Sequence, residues 1–340
     1  MLYTLDDIKV VDMGLSNRCN LRCVLCPYVH KKIYEQSPHY VNVSKLIDFL
    51  DKLKNIEVII IEGNYCEPTL HPELPKLLEY IKTRPIDIRL STNASTHNTE
   101  YWYKMGSLLK SNDIVRFAID GSTQELHSKY RVNSKLDKVL ENHRSLKSNP
   151  DFRGITVLQN IQFTYNQNDK ENIYNLFKKE KFDYLSYLKC YPTSIQNQSE
   201  FNPPTKIKKY MDFYEKLLKT QKDISVICDS FNRHEIYVNH MGNINICGSL
   251  DEDEVHTGVN IESSDSDIEK FLNTRWCEPK CGVTCQSCCN YYCYTLGEKY
   301  PDILIDQNDV RLEMNYFTKE LKNEEYNAGH RITRSKTNLI

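Results

Sequence analysis

The chain has 340 residues, 40% of them hydrophobic, enough for one large domain with a sizeable core and a smaller one beside it. Forty-four Lys and Arg against 46 Asp and Glu give a formal charge of −2, which removes the electrostatic case for nucleic acid or an anionic membrane as partner. No apolar run approaches the roughly 20 residues of a membrane span, and the opening MLYTLDDIKVVDMG lacks the charged-then-apolar layout of a signal peptide, so a soluble, cytoplasmic protein is expected.

Strand-like and helix-like segments alternate from the start. IKVVDMGLS reads as a strand, VSKLIDFLDKLK as a helix, and IEVIIIEG as a buried strand rich in β-branched residues. HPELPKLLEYIK, TEYWYKMGSLLK, SKLDKVLENHRSLK and DKENIYNLFKKE follow as helices, separated by the strands PIDIRLSTN, DIVRFAIDG and GITVLQNIQFTYN and closed by FDYLSYLKCYP. Six β-then-α steps up to about residue 192 predict parallel βαβ units, and six suit a partial (β/α)6 TIM-like barrel better than a closed eightfold one. TSIQNQSEFNPPT then reads as a linker, KIKKYMDFYEKLLKT as an amphipathic helix, and HEIYVNHMGNINIC as a hairpin. The expected domains are a core barrel over 1–205, a small cysteine-rich domain over 206–306, and a C-terminal helix with a loose tail over 307–340.

Thirteen cysteines stand out in a chain with no secretion signal, where a disulfide framework is not expected. Nine fall in two tight groups, at 19–26 and 277–293, and such clustering points to metal or iron–sulfur binding. Cys19, Cys23 and Cys26 follow the first strand at the spacing C-x3-C-x2-C, on the side where a parallel barrel carries its functional loops. Thiolates are soft ligands for iron–sulfur clusters or zinc. Three of them hold three irons of a cubane and leave the fourth open to a small molecule. The zinc alternative needs a fourth ligand, for which His30 is the nearest histidine.

With these cysteines the chain resembles the radical S-adenosylmethionine (SAM) superfamily. IEGNYCEPTLHPEL (61–74) is similar to its Gly-Glu-Pro motif, LSTNAS (90–95) to its Ser-Thr-Asn segment, and FAIDGSTQELHSKYR (117–131) to its Ile-Asp-Gly segment, each at the end of a predicted strand and in the family's order. The resemblance implies that Cys19, Cys23 and Cys26 hold a 4Fe–4S cluster whose open iron is chelated by SAM. Reductive cleavage would then give methionine and a 5′-deoxyadenosyl radical that takes hydrogen from a substrate, with reducing flavodoxin or ferredoxin as electron donor. Glu67 would contact the methionine amino group, and Thr92, Asn93 and Asp120 would lie near the sugar or carboxylate. Leu25 stands where the family often has an aromatic residue, which leaves Tyr28 as the candidate for the adenine. Cys66 replaces the usual glycine before Glu67; its thiol either fills the wall of the barrel or narrows the SAM pocket. Taken alone, Glu67, Thr92, Asn93 and Asp120 also suit turns and caps.

The second group, CEPKCGVTCQSCCNYYC, resembles the cysteine-rich extensions called SPASM or twitch domains, which carry auxiliary iron–sulfur clusters. Its candidate ligands are Cys277, Cys281, Cys285, Cys288 and Cys293, with Cys247 at the end of the hairpin; Cys289 is adjacent to Cys288, and Cys228 lies upstream. One or two auxiliary clusters are expected, with zinc as the alternative, since the spacing departs from the usual pattern. Cys190, ending the sixth strand, is either a hydrogen-atom donor at the barrel mouth or an inert core thiol. The substrate stays open among small metabolite, sugar and peptide. The first strand begins near residue 8, without a preceding leader-recognition domain, which lowers the peptide reading. A non-catalytic zinc-binding interaction module is the reading from another class.

Overall fold

The computed structural model describes residues 3–63, 65–190, 199–202, 204, 230, 233–248 and 258–275, together with the backbone of three late strands. Six strands and their helices follow the order read from the sequence: β1 (Val10–Met13), β2 (Val58–Ile61), β3 (Asp87–Thr92), β4 (Ile114–Ala118), β5 (Ile155–Gln162) and β6 (Tyr184–Lys189). All five successive pairs are parallel, with Val10 beside Val58, Ile60 beside Arg89 and Arg116 beside Val157. The sheet does not close: its order begins at one late strand and ends at another, giving the expected partial barrel.

Helices cover one face of that sheet. They are α1 (Pro27–His30), α2 (Val43–Lys52), α3 (Leu74–Lys82), α4 (Thr99–Gly106), α5 (Gln124–Tyr130), α6 (Leu136–Ser148), α7 (Lys170–Glu180) and α8 (Asp265–Arg275). Asn42 and Asn98 cap α2 and α4 by accepting the N–H groups of Lys45 and Tyr101. The apolar stripe of α2, Val43, Leu46, Phe49 and Leu50, meets β1 and β2 through Val11, Met13, Ile59 and Ile61 in the main core. Since strand side chains alternate, Val10, Asp12, Val58, Ile60, Arg89 and Arg116 face the other way, into the barrel.

Three features depart from the sequence reading. The expected hairpin forms, as β7 (Glu235–Val238) and β8 (Ile244–Asn245), but β7 also pairs in parallel with β1, so it extends the barrel's own sheet. The helix expected from residue 307 is instead a strand: β10 (Val310–Met314) pairs antiparallel with β9 (Asp302–Asp306), which pairs with β6, and β11 (Ser335–Lys336) follows. The alternation of V-R-L-E-M, apolar and charged by turns, is a strand period rather than a helical one. α5 was also not anticipated; its buried residues, His127 and Tyr130, give no aliphatic stripe. The amphipathic helix read at KIKKYMDFYEKLLKT lies outside the described residues. Among the described residues no helix is long and apolar enough to cross a membrane.

Candidate functional site

The loop after β1 carries the three cysteines at the C-terminal end of the parallel strands. Backbone hydrogen bonds stitch it to neighbours: Arg22 N–H to Val132 O at 3.1 Å, Val24 N–H to Tyr130 O at 3.2 Å, and Glu67 N–H to Arg18 O at 2.7 Å. Cys26 precedes Pro27, the first residue of α1, and its carbonyl accepts from Val29 and His30. Tyr28 is buried, and its hydroxyl donates to the carbonyl of Cys19 at 3.2 Å. Arg22 stacks over Tyr28 and Tyr34, 5.3 and 4.6 Å from the ring centres, and donates to the same Cys19 carbonyl. Tyr28 thus braces the cysteine loop from behind. His30, the nearest candidate for a fourth ligand, bonds the carbonyl of Val24 through Nε2 at 2.7 Å.

Cys23 is buried in an apolar cluster with Leu21, Leu25, Tyr130, Phe163, Cys190 and Phe201, against which Cys19 and Cys26 pack. Burial pushes all three thiols up, Cys23 to about 11 despite the nearby guanidinium of Arg131, and Glu67 adds to the effect at Cys19. Among the described residues no three Cys, His, Asp or Glu side chains stand at the coordination distance of one ion. The donor set still suits an iron–sulfur group: three soft thiols share one low-dielectric cluster where unpaired thiolates are costly, and a multiply charged metal centre reverses that cost.

Glu67 sits at the centre of the motif after β2, almost fully buried. Its Oε1 accepts from Thr69 Oγ1 at 2.7 Å and Thr92 Oγ1 at 2.5 Å, and its Oε2 accepts the Asn93 N–H at 2.7 Å. Burial raises its carboxyl while these donors oppose the shift. Thr92 Oγ1 also accepts from Ala94 N–H at 2.8 Å, and its one hydroxyl proton is already given to Glu67. Asn93 reaches the thiols: its Nδ2 lies 3.8 Å from Cys19 Sγ and 2.9 Å from Asn20 Oδ1. Asp120, completely buried past β4, bonds Arg131 Nε at 2.6 Å and accepts the Ile161 N–H at 2.6 Å. Its carboxyl is pushed up by burial against the pull of Arg131.

Of the candidates, then, the structure gathers Cys19, Cys23, Cys26, Asn93 and Cys190 around one cluster, with Glu67, Thr92, Asp120 and Tyr28 in the layer that holds it. Cys190 donates to Phe201 O at 3.5 Å. Cys66 turns its thiol toward Ser16 and Leu15 at the end of β1, and burial pushes it up to about 12. Cys247 follows β8, half-buried against the main core. Cys277, Cys281, Cys285, Cys288 and Cys293, with Cys228 and Cys289, lie outside the described residues. The sequence reading passed over Arg131, whose charge acts on Cys23 and Cys26; it ends the quoted Ile-Asp-Gly segment, directly after α5, and its partner eleven residues upstream was already singled out.

A thiol-bearing loop above an open parallel barrel defines a protein built around a soft-metal centre. Residues 13–177 match the model of the radical SAM superfamily. Over 196 residues it is 28% identical to the cysteine-type anaerobic sulfatase-maturating enzyme of Clostridium novyi, covering 52% of this chain and 49% of that one. Over 119 residues it is 27% identical to the mycofactocin maturase of Mycobacterium ulcerans, covering 34% and 30%. The chain therefore spans half or less of these curated relatives. Among solved structures it is similar to anSMEcpe with AdoMet and a peptide bound, with a TM-score of 0.55 at 17% identity over 79% of this chain and 81% of that one. SuiB of Streptococcus suis bound to its precursor peptide gives 0.57 at 12% identity over 79% and 65%. At such identities these two likenesses describe the fold.

Proposed function

We propose that this protein is a radical SAM enzyme that removes a hydrogen atom from a peptide. The observation that carries the reading is the set of three thiols on the loop after β1, packed in one cluster and approached by Asn93, inside the segment that matches the superfamily. Cys19, Cys23 and Cys26 would hold a 4Fe–4S cluster. That cluster, with SAM bound and an electron from a reduced flavodoxin or ferredoxin, supplies a 5′-deoxyadenosyl radical. The chain's own residues do the rest. Asn93 and Asn20 set the loop's position, Glu67 locks the ends of β2 and β3 together, and Arg131, held by Asp120, sets a positive charge near Cys23. Tyr130, Phe163 and Phe201 exclude water from the thiols.

The peptide assignment is supported by the names of relatives and fold neighbours, which are maturases and peptide complexes. Cys247 and the cysteines at 277–293 would hold one or two auxiliary clusters in a SPASM-like region over 206–306, with the catalytic barrel over 1–205. Cys190 remains a candidate hydrogen donor within this reading. Metal analysis of anaerobically purified protein separates it from a zinc-binding interaction module: iron with sulfide is expected, and zinc alone would replace the enzyme reading with the module.

A further inference from the structure

The barrel's inward face carries charge in a layer below the cysteine loop. Register places Asp12 beside Ile60 and Tyr237, and Arg116 beside Ser91 and Val157, all on that face. Glu62, the first residue past β2, continues the side of Val58 and Ile60 by alternation. Two ion pairs are complete there. Glu62 Oε1 accepts from Arg116 Nη1 at 2.5 Å and from Ser91 Oγ at 2.9 Å. Glu235 pairs with Arg233 at 2.6 Å and accepts from Ser230 Oγ at 3.1 Å.

Asp12 is the member left over. Its Oδ1 is buried and has no hydrogen-bond partner among the described residues. The charged groups it feels are Glu235, Glu62 and Arg233, and each of these carboxylates already holds an arginine. Asp12 Oδ1 is thus a buried acceptor with no donor among the described residues, and the carboxylates of Glu235 and Glu62 lie close enough to act on it. Buried carboxyl oxygens without a donor are costly, and a structure retains one where something else completes it. A neutral amide would satisfy the oxygen, but a cation also answers the surrounding field. Glu62 is 38% exposed and Arg116 14%, so the layer opens to solvent on the Glu62 side.

We propose that this inward face is the substrate chamber and that Asp12 binds an alkylammonium or guanidinium group of the substrate. The proposal rests on the radical SAM reading for the location of the chemistry, not for the binding itself. Burial, with Glu235 and Glu62 nearby, raises the Asp12 carboxyl well above its usual range, and a cation seated beside it acts in the opposite sense. A lysine or arginine of a peptide and a free amine share this chemistry.

The test uses the anaerobically purified full chain and three probes followed by equilibrium dialysis: acetyl-Gly-Lys-Gly-amide, its norleucine counterpart, and n-butylammonium. The wild-type protein should bind the lysine peptide at least tenfold more tightly than the norleucine peptide, and Asp12→Asn should erase the preference. If n-butylammonium binds as well as the lysine peptide, the cation alone is recognised and a small amine is the source; if it binds more weakly, the source is a peptide. Equal binding of the lysine and norleucine peptides by the wild type overturns the proposal and needs no variant to fold. Survival of the preference in Asp12→Asn overturns it too. SAM cleavage on the same preparation tests the enzyme reading separately, since peptide binding requires neither cluster nor SAM.

Discussion

Glu67 Oε2 accepts the backbone N–H of Asn93 at 2.7 Å, and that bond joins the loop after β2 to the end of β3, where Asn93 turns its amide toward Cys19. The carboxylate expected to meet a ligand is therefore engaged by the protein itself, through Thr69, Thr92 and Asn93.

Removing that carboxylate strands buried donors. Glu67→Ala should lower stability by about 3 kcal/mol, because each buried donor left without a partner costs about 1–3 kcal/mol. Glu67→Gln keeps one acceptor and should cost about 1 kcal/mol. Urea denaturation of the cluster-free protein measures both. A Glu67→Ala protein as stable as the parent would mean these bonds do not form.

The Asp120–Arg131 pair predicts an asymmetric result. Asp120→Ala leaves a buried guanidinium uncompensated and should cost about 3–5 kcal/mol. Asp120→Ala with Arg131→Met removes both charges and should recover most of that loss. A double-mutant cycle from thermal melts gives the coupling, and additive losses would contradict the pairing.

His127 makes stability pH-dependent. It bonds Ser134 Oγ at 2.8 Å and accepts the Asp120 N–H, and burial, with Arg131 nearby, pushes it down to about 3. The unfolded residue takes a proton near pH 6.5 and the folded one only near 3. Stability from this group is therefore complete above about pH 6.5 and falls as pH drops from there toward 3, at up to about 1.4 kcal/mol per pH unit. Buried carboxyls raised by desolvation, such as Glu67 and Asp120, act in the opposite sense over part of the range. The comparison is accordingly between the parent and His127→Asn: the variant's melting temperature should fall less steeply below pH 6. Parallel curves would refute it.

Cys66 fills a wall. With its thiol turned to Ser16 and pushed up to about 12, it should react with iodoacetamide at pH 8 at least a hundredfold more slowly than a free cysteine, read by mass spectrometry. Cys66→Gly should bind SAM within about tenfold of the parent, a difference of roughly 1.4 kcal/mol. A gain of a hundredfold would show that the thiol obstructs the pocket.

The barrel was legible because its strands are short β-branched runs, such as V-I-I-I in β2, and its helices carry aliphatic stripes. α5 was not, since its inward residues are a histidine and a tyrosine whose burial depends on Asp120 and Ser134. The parallel pairing of β7 with β1 joins segments more than two hundred residues apart, and no local pattern encodes such a register. In the site, cysteine spacing singled out three thiols that the fold brings to one apolar cluster. The roles of Arg131 and Asp12 were hidden, because an arginine or aspartate is ordinarily read as solvated until the fold buries it.

Cys19, Cys23 and Cys26 are expected to support reductive cleavage of SAM. The most direct test is 5′-deoxyadenosine formation by anaerobically reconstituted, dithionite-reduced protein, compared with Cys23→Ala treated identically. The parent should form 5′-deoxyadenosine and the variant none above the protein-free background. Equal formation by both would contradict the assignment of the three cysteines.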